Sequence, residues 1–139
     1  MTEEEKKAAA EQKQREMEQM MQQAVENYRQ EYAGVPYDGP EYEHTREELM
    51  LPMSDGVKLY TEIFKPKGLE QFPVLIQRSC YPNQQVLYEI SGAELTRRGY
   101  GYVVQTCRGT GRSEGHWEPN VNERPDGRDT LNWLDDQPW

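Results

Sequence analysis

Gly99-Tyr-Gly-Tyr-Val-Val-Gln-Thr-Cys-Arg-Gly-Thr-Gly-Arg-Ser-Glu-Gly115 is the stretch whose reading decides the fold. Tyr100, Tyr102, Val103 and Val104 form a short run of aromatic and β-branched residues, the signature of a buried strand. Arg108, Gly109, Gly111 and Gly115 follow at once. The strand therefore ends in a tight loop where the backbone takes positive φ or another chain segment comes close. Inside that loop, Gly111-Arg112-Ser113-Glu114-Gly115 fits G-x-S-x-G, a pattern that can present a nucleophilic serine. That chemistry needs a strand running straight into the Ser and a helix starting straight after it. Only then is Oγ pushed out of the sheet with a helix N-terminus facing the developing oxyanion. Here several loop residues separate the strand from Ser113, and His116-Trp117-Glu118-Pro119-Asn120 is a poor helix start. Ser113 is read as a turn residue whose hydroxyl ties the loop to itself.

Working upstream, a helix is predicted before Gly99. Leu87, Ile90, Ala93 and Leu95 form its inward face, Arg97 and Arg98 sit in its last turn, and Gly99 stops it. Gly92 weakens the pattern and predicts a break there. Pro73 to Arg78 is a continuous apolar run, read as a buried parallel strand that ends in the loop Ser79-Cys80-Tyr81-Pro82-Asn83. Glu47 to Met53 and Val57 to Lys65 are two further strands around Ser54-Asp55-Gly56, a hairpin turn signal. In the second of these, Val57, Leu59, Thr61 and Ile63 alternate with Lys58, Tyr60, Glu62 and Phe64. That alternation predicts a strand near a sheet edge with one wetter face. Downstream, an irregular loop runs to Pro125. Asp126 to Asp136 reads as a helix with Asp126 as N-cap and Leu131, Trp133 and Leu134 as its core face. Asp135 and Asp136 at its end oppose the helix dipole.

The order is hairpin, strand, helix, strand, helix. This predicts an α/β fold in which an antiparallel hairpin leads into a parallel βαβα sheet. The right-handed crossover rule places the Tyr100–Thr106 strand between the second and third strands.

Residues 1–32 differ in kind. They are rich in Glu, Gln, Lys, Ala and Met and contain neither Gly nor Pro. Met17, Met20, Met21, Ala24, Val25, Tyr28 and Tyr32 recur at helical spacing, and Thr2 with Glu5 makes a capping box. The segment is an amphipathic helical extension. It either docks or oligomerises, as a homo-oligomer through residues 1–32, or lies on its own domain, which is the reading favoured. Residues 33–46 are a linker and 47–139 an incomplete α/β domain.

The chain of 139 residues carries a formal charge of -9. That balance argues against nucleic acid and anionic membrane surfaces as partners. No apolar run approaches a membrane span, and Met-Thr-Glu-Glu-Glu-Lys-Lys has no signal-peptide pattern, so the cytoplasm is the expected compartment. Cys80 and Cys107 lack C-x-x-C spacing, and His44 and His116 are the only histidines, which gives a metal site little support. The thiols are expected to be free near neighbours. Phosphate binding by the glycine loop is weak, because Gly109-x-Gly111 lacks the third Gly and no P-loop Lys is present.

Several motifs in order resemble one family. They are Met53-Ser-Asp-Gly-Val-Lys-Leu59, Pro73-Val-Leu-Ile76, Arg78-Ser-Cys-Tyr81, Arg98-Gly-Tyr100, Arg108-Gly-Thr-Gly-Arg-Ser-Glu-Gly115 and Asp129-Thr-Leu-Asn-Trp-Leu134. Together they look like the start of the catalytic domain of the cocaine-esterase and X-Pro dipeptidyl-peptidase group of α/β-hydrolases. That group also holds α-amino-acid ester hydrolases and cephalosporin acylases. The resemblance spans roughly Glu47 to Trp139. It implies a serine hydrolase that cleaves an ester or amide (peptide) bond by acyl transfer through a Ser-His-Asp triad, with no cofactor. It also implies that Gln137-Pro-Trp139 stands just before the nucleophile strand. Nucleophile, acid and base are then outside these residues, and the chain alone is expected to fold poorly and to be inactive. The resemblance makes Arg108, Gly109, Gly111, Ser113 and Gly115 a structural loop. It assigns one chemical role here: Tyr81 as a donor to the oxyanion hole. Two positions depart from the family pattern. Cys80 replaces the usual Pro, and Thr106 stands where many relatives have Asp, so a salt bridge from that Asp to Arg108 is expected to be absent. The alternative reading is a non-catalytic chain or an interaction module that works through its helix.

Overall fold

The computed structural model describes residues 1–81 and 84–139. Pro82 and Asn83, the end of the loop read after the third strand, lie outside the described residues. The chain divides into two compact units, Met1–Pro36 and Tyr37–Trp139.

The first unit is helix α1, Glu3–Ala33. Glu, Gln, Lys, Ala and Met all lose little freedom in a helix, and no Gly or Pro interrupts them. The start is closed by a capping box: Thr2 Oγ1 accepts from the Glu5 N–H at 3.2 Å, and the Glu5 carboxylate accepts from the Thr2 N–H at 2.6 Å. Glu3, Glu4 and Glu5 in the first turn complement the positive end of the dipole. Gln12 with Glu16 and Gln14 with Glu18 add side-chain bonds one turn apart. Tyr28 and Tyr32 meet edge to face at 5.5 Å. The helix contains no buried residue.

The second unit is a four-stranded mixed sheet of order β1-β2-β4-β3, with α2 and α3 following β3 and β4. Strand β1 is His44–Pro52 and β2 is Lys58–Pro66. Strand β1 starts inside the stretch read as linker. The hairpin turns as Asp55-Gly56 predicts: Gly56 takes φ 87°, and its N–H reaches Met53 O at 2.9 Å. Strand β3 is Val74–Ser79, helix α2 Gln85–Arg97, strand β4 Gly101–Thr106 and helix α3 Glu123–Asp135. Strand β4 lies between its neighbours as predicted. It is antiparallel to β2 from Thr61↔Gln105 to Phe64↔Tyr102, and parallel to β3 from Val74↔Gly101 to Ser79↔Thr106.

The two sheet faces carry separate cores. On one, Phe64, Tyr88, Tyr102 and Val104 pack together with Leu95 against them. On the other, Leu51, Met53 and Leu59 pack with Leu49, Val57 and Trp133. Helix α2 thus covers one face and α3 the other. This corrects the expectation of a wetter face on β2, which has strands on both sides and is buried from Leu59 to Phe64. The misleading residue is Glu62, polar yet 1% exposed. It is kept buried by Arg46 Nε at 3.0 Å, by the Tyr60 hydroxyl at 3.0 Å and by the Gln85 amide. Burial, and then the Glu62 carboxylate, push the Tyr60 phenol well above its ordinary pKa. Among the described residues strand β3, read as a buried strand, pairs with β4 on one side alone, and Leu75 is 45% exposed.

Helix α2 does not break at Gly92. The glycine is a close approach: a Cβ there would stand 2.4 Å from the Phe64 ring. The face turned fully inward is Tyr88, Ser91, Gly92 and Thr96, while Leu87, Ile90, Ala93 and Leu95 are half-buried. Helix α3 starts earlier than predicted, at Glu123 with Asn122 as N-cap. Asp126 is therefore inside its first turn rather than capping it. The buried residues of α3 are Asp126 and Thr130, whereas Leu131 is 54% exposed. The helix turns polar side chains inward because the sheet offers them partners. The Thr130 hydroxyl meets Gln105 Oε1 at 3.0 Å, and Gln105 in turn donates to Thr61 Oγ1 at 3.1 Å.

Candidate active site

Parallel strands β3 and β4 end side by side at Ser79 and Thr106. The loops beyond them form the edge of an α/β sheet where ligands bind.

The loop after β4 folds back onto the start of β2. Antiparallel pairing of β2 with β4 begins only at Thr61, so the backbone groups of Lys58 and Tyr60 need other partners. The loop supplies them. Lys58 O accepts from the Glu114 N–H at 2.9 Å, and the Lys58 N–H donates to the Glu114 carboxylate at 3.0 Å. The Tyr60 N–H donates to Ser113 Oγ at 2.9 Å. Ser113 Oγ donates to Thr106 O at 2.8 Å and lies 2.6 Å from Thr106 Oγ1. Its hydroxyl is committed to the backbone, which is the chemistry of a tie and not of a free nucleophile. Gly109 takes φ 73°, and a Cβ there would stand 2.1 Å from Trp117 N, so only glycine fits. Gly111 and Gly115 also take positive φ.

Arg108 anchors this loop to two other segments. Its Nε and Nη2 reach both carboxylate oxygens of Asp126 at 3.0 and 2.7 Å, and Nη1 reaches Asp55 at 2.6 Å. Bonding to Asp126 first, and to Asp55 second, raises the guanidinium pKa further above its ordinary value. Hydrogen bonding from Arg108 lowers that of Asp55. Thr106 cannot ion-pair with Arg108, but Arg108 already has two carboxylates. Beside them, Asp129 accepts from the Ser54 N–H and Oγ at 2.9 and 2.7 Å, pinning α3 to the hairpin turn. Asp55 and Asp129 each stand in a quoted motif, yet nothing in either motif names its partner. These groups line an open cavity of about 320 Å³ with Asn122, Pro125 and Arg128.

Tyr81 stands on the loop after β3 with its residue 65% exposed. Its backbone is held from both sides: its N–H donates to Ser79 Oγ at 3.1 Å, and its carbonyl accepts from the Tyr88 hydroxyl at 3.0 Å. Sequence reasoning passed over Tyr88, since an aromatic at a helix position reads as core. Arg78 leaves β3 towards α3, with Nε 2.8 Å from Gln105 Oε1 and Nη1 2.5 Å from Glu123.

Both cysteines are free. They follow matched strand ends, and the Cys107 N–H donates to Ser79 O at 2.9 Å. Burial, and then the Glu123 carboxylate 3.4 Å away, push the Cys107 thiol up to about 12. The native state thus favours the protonated thiol. Its stabilising effect is complete below the unfolded thiol pKa of about 8.5 and fades as pH rises towards the folded value. At pH 8 a maleimide is expected to label the half-buried Cys80 in the native protein and to reach Cys107 only in urea. Peptide mass mapping checks this, and equal native labelling of both would contradict it.

An antiparallel hairpin leading into βαβα, with a helix on each face and a glycine loop after β4, defines the opening strands of an α/β-hydrolase sheet. Residues 55–139 match the family described as X-Pro dipeptidyl-peptidase (S15 family). The chain belongs to that family. It is 36% identical over 95 residues to the cocaine esterase of Rhodococcus sp. (strain MB1 Bresler), covering 66% of this chain and 17% of that protein. Among solved structures it is similar to an aminopeptidase from a marine sediment archaeon, Thaumarchaeota archaeon, with TM-score 0.57 and 27% identity over 76% of this chain and 22% of the other. It is also similar to an α-amino acid ester hydrolase, with TM-score 0.52 and 28% identity over 73% of this chain and 20% of the other. The chain thus spans about a fifth of the length of these relatives.

Proposed function

We propose that this chain supplies the oxyanion side of a serine hydrolase that cleaves ester or amide bonds, peptides included, by acyl transfer. The observation that carries the reading is Tyr81, an exposed phenol beyond the carboxyl end of β3 whose backbone is clamped on both sides. In such a reaction a serine oxygen attacks the substrate carbonyl, and negative charge moves onto the carbonyl oxygen. A donor fixed in advance stabilises that charge without reorganising at the moment of reaction. Tyr81 is assigned that donor role. Arg108, Gly109, Gly111, Ser113 and Gly115 hold the neighbouring loop in shape. The nucleophile, general base and its carboxylate partner belong to the remainder of the family domain. The relatives named as an esterase, an ester hydrolase and an aminopeptidase support an ester or amide substrate.

The test uses the complete gene product. A fluorophosphonate probe is expected to label one serine other than Ser113 and to abolish turnover of an aryl ester. Absence of both labelling and turnover would overturn the proposal, as would labelling at Ser113.

A further inference from the structure

Hydrogen bonds among Tyr81, Ser79 and Tyr88 close a ring. The hydroxyls of Ser79 and Tyr88 lie 2.5 Å apart, and the Tyr88 hydroxyl lies 3.0 Å from Tyr81 O. A phenol has one proton, and a carbonyl can only accept. The Tyr88 hydroxyl donates to Ser79 Oγ, and its one proton is shared with Tyr81 O. Ser79 Oγ keeps a lone pair for the Tyr81 N–H at 3.1 Å. Both the N–H and the C=O of Tyr81 are engaged, the first by Ser79 Oγ and the second by the Tyr88 hydroxyl.

The anchors are buried where Tyr81 is exposed. Ser79 is the last residue of β3 and 7% exposed; Tyr88 is 4% exposed, its ring packed with Phe64, Tyr102 and Val104. The Ser79 carbonyl is itself bonded by the Cys107 N–H. Two elements, the end of β3 and the first turns of α2, thus fix the backbone of a residue whose ring stays exposed. Such a clip limits where the phenol can swing and leaves the ring free to meet a ligand.

We infer that Tyr88, acting with Ser79, is a positioning residue for the oxyanion donor Tyr81. This rests on the function proposed above for Tyr81. Its effect belongs to the transition state, because a donor displaced by about 1 Å loses alignment with a developing charge far more than with a neutral carbonyl.

The test is a cycle of three variants in the complete enzyme: Tyr81→Phe, Tyr88→Phe and both together. Tyr88→Phe keeps the packed ring and removes only the hydroxyl. It is expected to lower kcat by about 10- to 10²-fold with KM changed by less than about twofold. Added to Tyr81→Phe, it is expected to cause almost no further loss, since there is then no donor left to position. Ser79→Ala breaks the same ring without touching the aromatic core and is expected to reproduce the Tyr88→Phe kinetics. It serves as the deciding variant if Tyr88→Phe fails to fold. A full kcat in Tyr88→Phe, or in Ser79→Ala where that variant decides, beside a slow Tyr81→Phe would overturn the positioning role and leave the donor role standing. Losses that multiply in the double variant would also overturn it, by showing damage unrelated to Tyr81. A full kcat in Tyr81→Phe would instead remove the donor reading on which the inference stands.

Discussion

Tyr81→Phe in the complete enzyme is expected to reduce kcat by about 10²–10³, or roughly 2.7–4 kcal/mol of transition-state stabilisation. Attack on a carbonyl concentrates negative charge on one oxygen, and in the proposed reaction donors already in place hold it. In α/β-hydrolases one donor is the backbone N–H after the nucleophile, and the second comes from the loop after the third strand. Tyr81 stands on that loop. The substitution removes a hydroxyl from a residue 65% exposed, so neither core packing nor a buried partner is disturbed. A thermal melt should therefore match the wild type, and KM should change little. Unchanged kcat would make Tyr81 a surface residue without a chemical role. A loss confined to KM would make it a binding residue instead.

The second large effect is structural. Arg108→Met is expected to destabilise the fold by about 3–5 kcal/mol, measured by urea denaturation. The reason is what remains behind. Asp126 is 1% exposed, and both its carboxylate oxygens face Arg108. Without the guanidinium, a buried carboxylate is left without its ion-pair partner. Against a total stability of about 5–15 kcal/mol, such a loss is a large share. Adding Asp126→Leu should recover most of it, because a buried ion pair is commonly no better than a well-packed apolar pair. Asp55→Ala should shift the midpoint far less, since Asp55 is 55% exposed and water can replace its contact. An Arg108→Met variant as stable as wild type would show that the loop is held by its backbone bonds alone.

Strands and their order were legible in the sequence, because apolar runs, Asp55-Gly56 and Gly99 are local signals. The crossover rule then placed β4 without further information. What escaped was polar burial. Glu62 sits in an alternating strand and reads as a wet-face residue, and only the arrival of Arg46, Tyr60 and Gln85 makes it a core residue. Asp126 reads as a cap because Asp caps helices. Its partner is Arg108, and no short-range pattern links the two. Gly92 reads as a helix breaker, since its function, room for the Phe64 ring, depends on a strand far away in the chain. For the candidate site, the place of Tyr81 follows from its position just past an apolar strand. The ring of bonds through Ser79 and Tyr88 does not, because it depends on how α2 settles against the sheet.

On the ribosome the strand that joins β2 to β3 follows both of them. The β1-β2 hairpin can form as it emerges, since its pairs are close in sequence. Strand β3 comes next, yet its only strand partner among the described residues is β4. All six residues of β4 are buried, and it pairs with β2 on one side and β3 on the other. A nascent chain ending before Gly101 holds a hairpin and a strand without the strand that pairs with both, although α2 already offers Tyr88 to Phe64 and Gln85 to Glu62. At about 5–20 residues per second the place between β2 and β3 stays open for seconds. Release of Gly101–Thr106 is then the step that joins the hairpin to β3 within the sheet.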